Sequence, residues 1–283
     1  MASIPLSEVA PKFMPKQFSL EDRNFDDLAS RFGRNIYGGL KGDIRLAVLN
    51  RDFAEHLPIA PYVPLTPAKT LRILDAGGGQ GHFSLPFAQA GHSLVLNDLS
   101  ANMLEAARTR AQTLGDNLPV DFIHGPVQAL EGQAGYDLVL CHALLEWVTE
   151  PWQVLQGLLD KLAPGGYLSL IFYNQHALVY KNLLRTNYKK IHKADYAAFR
   201  GSLTPINPLL PEEVLQQLAQ QKVQLICHSG IRVFYDYILD PVARKREPES
   251  VLALELEYSR QEPFRSLGRY VHMLVRKSEG EGV

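Results

Sequence analysis

Short apolar runs recur at regular intervals between Thr70 and about Phe172, each followed by a stretch in which polar and apolar positions follow a helical period. Leu71 to Leu74, Ser93 to Ser100, Val120 to His124, Asp137 to Cys141 and Tyr167 to Phe172 read as strands. The first two are the continuous apolar runs of strands covered on both faces. His82 to Ala90 is amphipathic, and a helix is predicted from about Trp152 to Leu162, with Ala163-Pro164-Gly165-Gly166 as the turn that stops it. Strand and helix patterns in alternation predict an α/β fold with a parallel sheet and right-handed crossovers.

Outside this block the pattern is less regular. Residues before Arg23 show no periodicity and hold three prolines, so 1–21 reads as a flexible extension. Phe25 to about Leu57 is predicted helical, broken at Asn35-Ile36-Tyr37-Gly38-Gly39, with Arg45 at its centre. Arginine can grip a carboxylate bidentately, but on an amphipathic helix it also suits a solvated surface. After the fifth strand, Tyr173, Tyr180, Lys181, Arg185, Tyr188, Lys189, Lys190, Lys193, Tyr196 and Arg200 interleave rings with cations, against the single acid Asp195. Such a segment suits phosphate neutralisation and base stacking, or equally a solvated helix pair over the site.

Composition narrows the classes. At 283 residues the chain can bury a sizeable core, and its formal charge of -1 leaves any nucleic-acid contact to a local patch. Two cysteines, Cys141 and Cys227, both in apolar runs, support neither a disulfide framework nor a cysteine metal site. No apolar run is long enough to span a bilayer and no leader pattern opens the chain, so a soluble, cytoplasmic protein is expected.

The chemistry is concentrated in Asp75-Ala76-Gly77-Gly78-Gly79-Gln80-Gly81, where a strand empties into a turn with glycine at three alternate positions. Such a turn lets backbone approach a ligand closely. Asp98, at the end of the second strand, can accept from both hydroxyls of a ribose lying across that turn, and Asp98 or Ser100 can also cap the helix that follows. Asp75 is better placed to hold the glycine turn, or to meet an ammonium group, than to touch a nucleoside.

The D-x-G-x-G-x-G spacing resembles motif I of the class I S-adenosylmethionine-dependent methyltransferases. The chain as a whole is similar to the tRNA 5-carboxymethoxyuridine methyltransferase family. The resemblance is carried by Asp22-Arg23-Asn24-Phe25-Asp26-Asp27, Arg34-Asn35-Ile36-Tyr37-Gly38, His142-Ala143-x-Leu145-Glu146-Trp147, Gly230-x-Arg232-Val233-Phe234-x-Asp236-Tyr237 and Gly268-Arg269-Tyr270-x-His272. It implies a Rossmann-like, mostly parallel seven-stranded sheet with helices on both faces. One domain over 22–277 is implied, with 22–60 as a helical lid, 173–210 as a substrate-binding insertion and 278–283 as a tail.

Carried over by position, cofactor contacts would come from Arg45, Gly77, Gly78, Asp98, Val127, Gln128 and His142, with Gln128 at the adenine edge. The implied partner is a tRNA anticodon stem-loop, and the implied reaction is methylation of a carboxylate on the wobble uridine. A carboxylate is ionised at neutral pH, so no general base is needed, and no metal. Arg232, Tyr173 and Trp147 are the candidates for positioning it. Two other readings share this core: a small-molecule carboxyl methyltransferase, and a noncatalytic cofactor-fold scaffold that binds RNA or a partner.

Overall fold

The computed structural model describes residues 21–27, 38–57, 70–130, 132–193, 205 and 207–279. A first helix α1 (Leu40–His56) precedes β1 (Arg72–Ala76), α2 (Leu85–Gln89), β2 (Ser93–Asp98), α3 (Ala101–Leu114) and β3 (Val120–His124). Then follow β4 (Tyr136–His142), α4 (Pro151–Lys161), β5 (Leu162–Tyr173), α5 (Gln175–Leu184) and α6 (Tyr188–His192). The chain closes with α7 (Pro211–Ala219), β6 (Val223–Ile231), α8 (Pro248–Tyr258) and β7 (Tyr270–Lys277). The seven strands form one sheet in the order β3-β2-β1-β4-β5-β7-β6, parallel except for β7, which runs antiparallel between β5 and β6.

Alternation along the strands divides the core. Ile73, Leu94, Leu96, Leu138 and Leu140 pack with Val48, Leu49 and Phe53 of α1, Phe87 of α2 and Leu104 of α3. Their neighbours Leu74, Val139, Cys141 and Leu170 pack instead with Val154, Leu155 and Leu158 of α4 and Val214 and Leu218 of α7. Successive strand residues face opposite sides, so each inner strand supplies both cores. Both cysteines are free and buried. No helix among the described residues is long and apolar enough to cross a membrane.

Local signals explain most of the boundaries. Ser100 caps α3 by accepting from Met103 N, and Pro151 and Pro211 start α4 and α7, where a missing N–H costs nothing. Three expectations are corrected. The predicted helix from His82 shrinks to Leu85–Gln89, because the glycine turn runs on through Gly81 and Pro86 sits in the first turn. The turn at Ala163-Pro164-Gly165-Gly166 does not precede β5 but lies within it, as an irregularity that places Leu162 opposite Tyr136 and Tyr167 opposite Leu138. Residues 21–27 are not helical but extended and turned, and Asp22, Asn24 and Asp26 bond to distant loops.

Candidate functional site

The first region lies where β1, β2 and β4 end. A cleft there encloses about 640 Å³ counting the space open to solvent. Gly77, Gly79, Asp98, Val127, Gln128, His142 and Trp147 all line it. Gly77 has φ +66, a conformation that favours glycine, and a Cβ there would come within 2.9 Å of Leu144. A Cβ on Gly79 would meet no protein atom nearer than 4.0 Å and would instead enter the cleft. Asp98 holds the turn from across the crevice: Oδ2 accepts from Gly79 N at 2.8 Å and Oδ1 from Ser100 N at 2.8 Å. Burial raises its carboxyl despite these bonds. Asp75 lies beneath the turn, its Oδ2 2.5 Å from where a Cβ on Gly78 would stand, and burial pushes its carboxyl up to about 7.

Residues 21–27 strap the open side. Asp22 Oδ1 accepts from Thr149 N at 2.7 Å and its Oδ2 from Gln128 Nε2 at 3.0 Å. Asp26 accepts from Ser100 Oγ and Asn102 N at the start of α3, and Arg23 N donates to Trp147 O. Phe25 packs edge-on against Trp147, ring centroids 4.8 Å apart. Asp22, Arg23 and Phe25 thereby become walls of the cleft.

His142 anchors the far wall through a buried chain. Its Nε2 lies 2.8 Å from Ser169 Oγ, which lies 3.0 Å from His272 Nε2, and His272 Nδ1 is 2.7 Å from Asp52 Oδ2. Burial would raise Asp52, but His272 and Arg51 hold it well below the usual carboxylate range, so it accepts from His272 Nδ1–H. Burial, with His272 and Arg45 nearby, keeps His142 well below the ordinary imidazole value and therefore neutral.

The second region occupies the same end of the sheet, beyond β5. Tyr173 and Tyr270 pair across β5 and β7, with rings edge to face at 5.2 Å. The Arg45 guanidinium lies 4.4 Å and that of Arg232 5.3 Å from the Tyr270 ring centroid, while Arg269 lies 4.8 Å from that of Tyr173. Asp236 Oδ2 stands 3.3 Å from Arg232 Nε and 3.5 Å from Arg269 Nε, with Lys181 of α5 and Lys41 of α1 also bearing on it. Burial, Arg269 and the neighbouring cations bring Lys181 down to about 7. Arg45 also bears on His142 and on Glu146, whose Oε1 accepts from Tyr173 N, and so bridges the two regions.

The chain is 39% identical over 93% of its length to the tRNA 5-carboxymethoxyuridine methyltransferase of Escherichia coli K12, covering 99% of that protein. The chain belongs to the tRNA 5-carboxymethoxyuridine methyltransferase family. A general methyltransferase-domain model matches residues 74–170, the stretch from β1 into β5. More distantly, the chain is 28% identical to a ubiquinone biosynthesis O-methyltransferase of Shewanella pealeana, over 60% of this chain and 69% of that one. Among solved structures, magnesium protoporphyrin IX methyltransferase from Synechocystis matches with a TM-score of 0.56 at 18% identity, covering 90% of this chain and 96% of that one. The [4+2]-cyclase SpnF matches with 0.53 at 18%, over 85% and 82%, so this likeness speaks for the fold alone.

Within that family framework the expected site residues divide. Gly77, Asp98, Val127, Gln128, His142 and Trp147 share the cleft. Gly78 does not line it but sits between Asp75 and Leu96 with its N–H on Asn97 O. Arg45, Arg232 and Tyr173 do not line it either and gather in the cationic region. Arg45 is buried on α1, which corrects the surface alternative. Of the basic segment, Lys181 reaches the site, while Tyr188, Lys189 and Lys190 lie exposed on α6 and Tyr196 and Arg200 fall outside the described residues. Sequence reasoning assigned no role to Asp22, Arg269, Asp236 or the Asp52–His272–Ser169 chain. The aspartate-rich run before α1 and the Arg-Tyr pair opening β7 were the available signals.

Proposed function

We propose that this chain methylates the carboxylate of 5-carboxymethoxyuridine at the wobble position of tRNA, using S-adenosylmethionine and giving 5-methoxycarbonylmethoxyuridine. The observation that carries the reading is the pairing of a glycine-turn cleft with a buried cationic recess at one end of the sheet, bridged by Arg45. Its E. coli relative bears the name of that activity. The anticodon stem-loop is the part of the tRNA that docks, with the exposed Tyr188, Lys189 and Lys190 of α6, the helix after the one that carries Lys181, as phosphate and base contacts. The cytoplasm, where such a substrate is found, is the site of action.

The cleft suits the cofactor on its own geometry. Asp98, held by two backbone N–H groups, lines the cleft together with Gln128, and Gly79 leaves space where a Cβ would stand. Arg45 would meet the methionine carboxylate and Val127 would pack against the base. S-adenosylmethionine supplies an electrophilic methyl group when bound. The chain's residues then have to orient the substrate acid and exclude water. No side chain has to remove a proton, because the substrate carboxylate is already ionised. Arg232 and Tyr173 orient that acid, and Trp147 with Phe25 closes the wall between cleft and solvent.

The test is incubation of the purified protein with S-adenosylmethionine and tRNA from cells lacking the corresponding gene, followed by digestion and mass spectrometry. A one-methyl gain on 5-carboxymethoxyuridine is expected. Methylation of the free nucleoside at the same efficiency as whole tRNA would overturn the tRNA reading.

A further inference from the structure

Three buried donors in the residues around Asp236 make no hydrogen bond. Arg232 Nε, Arg269 Nη1 and the Tyr173 hydroxyl are shielded from solvent and lack a hydrogen-bond partner, in residues only 8%, 8% and 3% exposed. A buried donor left unmade is unfavourable by about 1–3 kcal/mol, and more when charged, so three in one neighbourhood favour the arrival of an acceptor. Asp236 does not fill that role: a single oxygen is shared at 3.3 and 3.5 Å by two guanidiniums, and neither makes the paired contact that a guanidinium fork makes with a carboxylate.

The charges point the same way. Arg232, Arg269, Lys181 and Lys41 bear on Asp236. The other acid acting on Arg232, Glu255, is already taken up by the backbone N–H groups of Val233, Phe234 and Tyr235. Cations therefore outnumber the acids that face them. The rings of Tyr270 and Tyr173 lie against the arginine guanidiniums and leave their N–H edges for a ligand. Arg232 itself is held at φ +60, a conformation that non-glycine residues rarely adopt and that structures keep where a side chain must be aimed.

We propose that Arg269 joins Arg232 and the Tyr173 hydroxyl in a carboxylate clamp, aligned by Asp236 as internal counter-ion, which grips the substrate acid and releases the neutral ester. This rests on the methyl-transfer reading above. In that reaction a carboxylate oxygen gains a bond to the methyl carbon, the methyl–sulfur bond breaks with its electron pair left on sulfur, and no proton moves. The oxygen that carried charge becomes an ester oxygen, a far weaker acceptor for two guanidiniums. The clamp thus separates substrate from product by the one property the reaction changes.

The experiment compares three tRNAs, identical except that the wobble base carries the free acid, the methyl ester or no modification. Each is titrated against the protein saturated with S-adenosylhomocysteine, so that no turnover occurs. The acid-to-ester affinity ratio cancels the phosphate contacts common to all three. The wild-type protein is expected to favour the acid by at least about tenfold, the worth of one charge-assisted hydrogen bond. Arg269→Ala should bring that ratio below about threefold with S-adenosylhomocysteine affinity unchanged, and Arg269→Lys, which keeps charge but not the fork, should fall between. If Arg269→Ala no longer binds S-adenosylhomocysteine, Arg269→Lys decides, because the ratio is read within one folded protein. An undiminished ratio in these variants overturns the role of Arg269, and equal binding of acid and ester by the wild type overturns the clamp. In a separate incubation with S-adenosylmethionine, failure of the wild type to methylate the acid-bearing tRNA overturns the methyl-transfer reading itself.

Discussion

The cleft and the recess sit side by side at one end of one sheet and are built from opposite materials. The cleft is lined by Asp22 and Asp98, with Asp75 beneath its floor and a neutral His142 on its wall. The recess gathers Arg232, Arg269, Lys181 and Lys41 around Asp236. A sulfonium compound suits the first and a carboxylate the second, and like charges would be rejected by either. The construction differs as well. The cleft hangs on backbone, through a glycine turn and two N–H bonds to Asp98, whereas the recess hangs on aromatic rings that carry guanidiniums.

If the two regions are independent, each can be damaged alone. The largest effect is expected from Asp98→Ala, which deprives Gly79 and Ser100 of their acceptor in a buried place. Losing the acceptor for two ribose hydroxyls as well, at about 1–3 kcal/mol each, predicts a drop of about a hundredfold or more in S-adenosylmethionine affinity by calorimetry. The acid-to-ester ratio of the recess should not move. If it collapses too, the regions are one cooperative unit.

The recess should respond to pH where the cleft does not. Lys181 is brought down to about 7 by burial and by Arg269, with Arg185 and Lys41 adding to this and Asp236 opposing it. A bound carboxylate favours the charged lysine, so it raises that value and draws in a proton. Affinity is then full below about pH 7 and falls as pH rises above it, approaching tenfold per unit. Binding of the acid-bearing tRNA measured from pH 6.5 to 8.5 should show this bend, and Lys181→Met should remove it. A bend that persists in that variant would move the titration to another group.

A smaller effect is expected at the strap. Asp22→Ala removes the acceptor for Thr149 N and Oγ1 and for Gln128 Nε2, all at the edge of the cleft. Dissociation of S-adenosylmethionine should quicken by about tenfold in stopped-flow, in line with the loss of hydrogen bonds to a charged group. An unchanged rate would mean that the cofactor leaves by another side.

The sheet was legible because its information is local. Runs such as Ser93–Asp98 carry their own signal, and the glycine turn announces itself by spacing that few other structures need. Asp98 was readable for the same reason, since a strand-end acid after such a turn has few other uses. The strap was misread because Asp22 and Asp26 find their partners at Gln128, Thr149 and Ser100, far along the chain, and a helical period says nothing of such contacts. Arg45 and Arg269 were harder still. A lone arginine in an amphipathic pattern looks solvated, and only tertiary packing reveals that Tyr270 and Tyr173 lie against them. Gly78 shows the converse, a motif residue whose service is to fit over Asp75 and not to face the cleft.

The place of β7 has a consequence for synthesis. It is the last strand to be made, yet it inserts between β5 and β6 and brings Arg269 and Tyr270 with it. Every pairing it makes spans a long stretch of chain, which makes its docking a late and slow event in folding. A nascent chain can therefore complete the glycine turn and the Asp98 edge while its recess is still in two pieces. Until β7 docks, the recess lacks Arg269 and His142 lacks the His272 end of its buried chain, so the two regions reach their final form together with the last strand.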